Sequence, residues 1–64
     1  MHLLKLSLLK QSLTINEDLI SKQAQKIRMA QNYDELLIFE NQMRKLRAEK
    51  IILLTKIKKL ESHA

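Results

Sequence analysis

The stretch Leu36–Leu60, LLIFENQMRKLRAEKIILLTKIKKL, decides the fold. Positions 36, 39, 43, 46, 50, 53, 57 and 60 read Leu, Phe, Met, Leu, Lys, Leu, Ile, Leu, at alternating spacings of three and four. Seven of these eight are apolar. That is the 3.5-residue repeat of a long helix lying against a second helix along its whole length. A seam of this kind needs a counterpart, from the rest of the chain or from another molecule.

The first half of the chain offers one. Met1–Leu13 is rich in leucine: Leu3, Leu4, Leu6, Leu8, Leu9 and Leu13. Leu4, Leu6 and Leu8 alternate as in a strand, but Leu6, Leu9 and Leu13 recur as in a helix, and Leu13, Ile20 and Ile27 continue at intervals of seven. The helical reading prevails, since a lone strand has nothing to pair with. The second row of this helix, Leu9, Asn16, Gln23 and Ala30, is mostly polar or small. It is a weaker stripe, widened by Leu19 and Ala24.

Two places suggest a break. Thr14 with Glu17, followed by Asp18, matches a capping box and would make residues 1–13 a movable segment. The alternative, preferred here, is a threonine inside a continuous helix, with Asp18 and Lys22 paired four residues apart. The second place is firmer. Asn32 tolerates the left-handed conformation that ends a helix, and with Glu35 it forms a capping box. Asp34 and Glu35 put negative charge in a first turn, where the helix dipole favours it. The expected fold is therefore all-α. It is a coiled-coil-like antiparallel hairpin with helices over about 2–31 and about 34–62, a turn near 31–33 and a length of about 45 Å. Glu40–Arg44 is an expected pair within the second helix, Lys56, Lys58 and Lys59 complement its C-terminal dipole, and Ser62–Ala64 should fray.

Composition limits what such a chain can be. Sixty-four residues make one domain at most, and chains this short are completed by disulfides, metal or association. There is no cysteine, glycine or proline, and the two histidines, His2 and His63, stand at opposite ends. Association is what remains, through dimerisation or a partner protein. The only aromatics are Tyr33 and Phe39, too few for a nucleobase-stacking platform. Phe39 lies on the seam, whereas Tyr33 is equally readable as a turn residue or a partner anchor. The longest apolar run, Ile51–Leu54, is far short of the roughly 20 residues of a membrane span. Lys5 and Lys10 interrupt the N-terminal apolar residues, so a signal peptide is not expected and a cytoplasmic location is the default.

The net charge is +5. Residues 1–32 hold five basic and two acidic side chains and residues 33–64 hold seven and five, so the excess reads as spread along the chain. Arg44, Lys45, Arg47, Lys50, Lys56, Lys58 and Lys59 do not fall on one helix face, and Glu49 interrupts the best-aligned of them. They read as a solvated surface rather than a nucleic-acid footprint. The Leu/Lys N-terminus lacks the tryptophan of an interfacial membrane helix and reads as core. Lys50, on the seam, either sets register against a partner carboxylate or, the preferred reading, packs its stem and extends its ammonium to water. His2, Asp18, Glu35 and Glu40 do not assemble into a catalytic set. No cofactor or metal motif is present, and no enzyme is expected.

The seam leaves apolar side chains over. Ile51, Ile52, Leu53 and Leu54 encircle one helical turn, and a single neighbouring helix covers one side of it. Leu4, Leu8, Leu37, Ile38, Ile51, Ile52 and Leu54 are the candidates for a second, partner-binding interface, each worth about 1.5–3 kcal/mol if fully buried.

With a polar first helix ending in LISKQAQKIRMA, a turn bearing Tyr33, and a second helix carrying the aliphatic run Ile51–Leu54, the chain resembles the small helical-hairpin co-chaperones of type III secretion needle subunits. The resemblance covers most of the chain and is one of pattern. It implies a hairpin that joins a helical-repeat partner and, with it, keeps a needle subunit monomeric in the cytoplasm. The leading expectation is thus a non-enzymatic chaperone or adaptor that docks an apolar helical face on a helical partner. The alternative is a homodimeric four-helix-bundle regulator with weak nucleic-acid contact. A third is a coiled-coil rod in which the helices do not fold back.

Overall fold

In the computed structural model, which describes residues 2–62, two helices account for nearly all of the chain: α1 (His2–Arg28) and α2 (Tyr33–Ser62). They fold back on one another as an antiparallel hairpin of 48 × 14 × 11 Å. A continuous rod of this many residues would extend about 90 Å, so the rod is excluded.

All eight seam positions of α2 are withdrawn from water. Met43, Leu53 and Ile57 are buried, and Leu36, Phe39, Leu46, Lys50 and Leu60 are half-buried. The facing row has the same three–four alternation: Leu6, Leu9, Leu13, Asn16, Ile20, Gln23, Ile27 and, just past the helix end, Ala30. The weaker stripe of α1 is therefore a full seam in which two layers are polar. Asn16 and Gln23 are only 3% and 6% exposed. The Asn16 Nδ2 donates to the Leu46 carbonyl at 3.0 Å. The Gln23 Nε2 donates to the Phe39 carbonyl at 2.9 Å and to the Gln42 Oε1 at 2.8 Å. Each amide thus bonds the backbone of the opposite helix, which is how a buried polar group avoids most of its desolvation cost.

The turn is built differently from the sequence expectation. α1 stops at Arg28 rather than near 31, and no described residue has positive φ, so Asn32 does not supply a left-handed stop. Instead the last turn tightens. The Met29 N–H is shared between the Gln25 and Lys26 carbonyls, at 3.1 and 3.2 Å, and the Ala30 N–H donates to the Ile27 carbonyl at 3.3 Å. Three-residue bonds of this kind satisfy the carbonyls left over at a helix end. Asn32 is the N-cap of α2, as its spacing from Glu35 predicts, its Oδ1 accepting from the Glu35 N–H at 2.8 Å. The Glu35 Oε1 reaches back to the Gln31 N–H at 3.5 Å. Tyr33 is the first residue of α2, not part of the turn, and is largely exposed.

The other capping box is not used. Thr14 lies within α1, and its hydroxyl donates to the Lys10 carbonyl at 3.1 Å. Asp18 and Lys22 pair at 3.0 Å as expected for a continuous helix, whereas Glu40 and Arg44 do not pair. Lys50 follows the preferred reading, and the carboxylate beside it is not a partner's. Its stem lies in the seam, and its Nζ emerges 3.4 Å from the Glu17 carboxylate, which its own chain supplies. Ser62 is helical, its hydroxyl on the Lys59 carbonyl at 3.0 Å; the rest of the fraying expectation falls on His63 and Ala64, outside the described residues.

Candidate partner-binding surface

The hairpin leaves uncovered what one seam cannot reach. Leu4, Leu8, Leu37, Ile38, Ile51, Ile52 and Leu54 are all exposed, from 39% for Leu54 to 67% for Leu4. Leu3, Ile15, Leu19 and Met29 are exposed as well. Ile15 and Leu19 are the additions that matter. Leu19 read as a widening of the seam, and Ile15 sat inside the apparent Thr14 box. The usable signal was their spacing from Leu8, seven and eleven residues, which puts all three on one side of α1.

The helix repeat sorts these residues into two flanks. Leu8, Ile15 and Leu19 of α1 share one flank with Ile38 and Ile52 of α2, which are fourteen apart. Leu37, Ile51 and Leu54 lie on the other. Contacts across the hairpin agree with the sorting. On the first flank, Lys5, Leu8 and Leu9 face Lys56, Lys59 and Leu60 across a groove, and Ser12, Ile15, Asn16 and Leu19 face Glu49. On the second, Lys10 pairs with Glu61 at 3.5 Å. The predicted residues thus do not form one patch.

The amount of uncovered surface is large. The chain presents 5384 Å² to solvent, whereas a compact monomer of 7.6 kDa presents about 4,300 Å². The excess of about 1,100 Å² exceeds the roughly 800 Å² that one protein contributes to a standard interface. Part of it follows from elongation, but its composition is apolar where the two chain ends meet.

Folding also redistributes the charge. Residues 1–13 and 51–64 hold five basic residues and one acidic one, a net of +4, while residues 14–50 hold seven and six, a net of +1. Splitting the sequence at its middle hides this, because the hairpin brings the two basic ends together. The open end of the molecule is accordingly both the most apolar and the most cationic part.

Among the described residues no three of His, Asp and Glu gather as metal ligands, and no helix is long and apolar enough to cross a membrane. The grooves are open and differ in lining: Leu and Lys in the one at the open end, Glu40, Arg44 and Arg47 beside Ile27 and Met43 in another. No protein-family model matches the chain, and no match to it is found among curated proteins or solved structures.

Proposed function

We propose that this chain is a non-enzymatic protein-interaction module, a small chaperone or adaptor that docks its surplus apolar helical surface on a larger helical partner. In its most specific form the role is that of a co-chaperone in type III secretion, which rests on the sequence resemblance alone. The observation that carries the general reading is the imbalance between inside and outside. Among the described residues three apolar side chains are buried, whereas twelve large ones are exposed on the flanks and at the turn. A helix that is apolar beyond one stripe is normally covered on a second side.

The charge distribution weighs against the alternative homodimer. A symmetric bundle sets the +4 open end either on its own copy or on the copy's turn. Residues 28–38 of that turn carry Arg28, Asp34 and Glu35, a net of −1, which leaves most of the positive charge uncompensated.

Light scattering and circular dichroism of the purified chain, across concentration, test the proposal. The expected result is a hairpin of marginal stability that aggregates as concentration rises and gains stability when its partner is added. A stable, highly helical dimer on its own would overturn it.

A further inference from the structure

Lys5, Lys56 and Lys59 rim a groove of 490 Å³ between the two helices, floored by Leu8, Leu9 and Leu60. Among the described residues none of the three lysines meets a carboxylate. A second groove lies on the same flank, lined by Ser12, Ile15, Asn16, Leu19 and Glu49. It is displaced from the first by seven residues on each helix, from Leu9 to Asn16 and from Lys56 to Glu49, or about 10 Å. The Asn16 Nδ2 is satisfied by the Leu46 carbonyl, but its buried Oδ1 has no hydrogen-bond donor.

We propose that this flank seats a third helix supplied by another protein. That helix is acidic where it crosses Lys5, Lys56 and Lys59, and apolar where it lies over Leu8, Ile15 and Leu19. The inference rests on the interaction-module reading and adds the chemistry of the partner. A groove between two packed helices is the natural seat of a third. A second copy of the chain brings its own +4 end, and its residues 14–50 sum to +1. A lipid surface is planar, whereas this seat is concave and has a carboxylate, Glu49, in its middle.

The test uses two labelled amphipathic peptides of about 21 residues, long enough to form helix on binding. Both carry a Leu/Ile stripe and Gln over the second half; the first half is flanked by Glu in one and by Lys in the other. The acidic peptide is expected to bind about tenfold more tightly, with the preference weakening as salt is raised. The preference should vanish in Lys5→Glu/Lys56→Glu/Lys59→Glu, whose helicity is checked separately. Should that variant fail to fold, cross-linking decides: the acidic peptide should capture Ser12→Cys, which lines the second groove, and not Ser7→Cys on the opposite flank. Equal binding of both peptides, or capture at Ser7→Cys, overturns this inference while leaving the interaction module standing. Binding only to vesicles of phosphatidylglycerol assigns the lysines to lipid and overturns it too. A stable self-dimer indifferent to both peptides overturns the module reading as well.

Discussion

Asn16, Gln23 and Lys50 occupy seam positions that leucine would fill in a hairpin selected for stability alone. Each is tied to the opposite helix, the amides through backbone carbonyls and the lysine through Glu17. Polar seam residues hold one register and one orientation at a cost in stability. Asn16→Leu removes the orphaned acceptor and adds apolar burial, so it is expected to stabilise the hairpin by about 1–2 kcal/mol. Urea unfolding measures this, and light scattering should show the variant sampling additional oligomers. The ion pair of Lys50 is exposed enough to matter less. Glu17→Gln should cost under about 1 kcal/mol, while Lys50→Leu should raise the midpoint by extending the seam. The positions of these residues were readable from the heptad spacing. Their roles were not, because a side-chain amide reaches a helix carbonyl only where two helices approach closely, and a single helix's pattern does not contain that distance.

At the scale of the element, the two apparent capping boxes had opposite outcomes for one physical reason. A box is a local device, worth roughly 1 kcal/mol, and it operates only where the tertiary fold ends the helix anyway. At Thr14 the apolar phase runs on from Leu13 to Ile20, so α1 continues and the hydroxyl turns back to Lys10. At Asn32 the phase restarts, and the cap forms. Replacing Asn32→Ala should therefore destabilise the hairpin by about 1 kcal/mol, whereas Thr14→Ala should be neutral or slightly stabilising. Thermal melts of the two variants compare them directly, and amide exchange at Leu36 and Leu37 should speed up in the first only. The C-terminal end of α1 was the least legible boundary. Met29, Ala30 and Gln31 are all good helix formers, and what stops the helix at Arg28 is the need to reverse direction within four residues.

At the scale of the molecule, the core seam and the exposed apolar surface are separated residue by residue. Ile52 and Leu53 are adjacent, equally apolar and on the same helix, yet Ile52 is 54% exposed and Leu53 is 8% exposed. Leu53 fills the seam opposite α1, and truncating a buried leucine costs about 2–5 kcal/mol. A two-helix core of this size supplies only a few kcal/mol in total, so Leu53→Ala should abolish cooperative unfolding. Ile52→Gln removes a side chain that packs on little within the chain. It should change stability by no more than about 0.5 kcal/mol and reduce aggregation, because it breaks up an uncovered apolar surface. Circular dichroism melts and light scattering on both variants give the comparison. If Ile52→Gln instead unfolds the chain, then the surface assigned to a partner is being used within the chain itself. Loss of partner binding in Ile52→Gln with the hairpin intact would place the partner on the flank that also carries Leu8, Ile15 and Leu19.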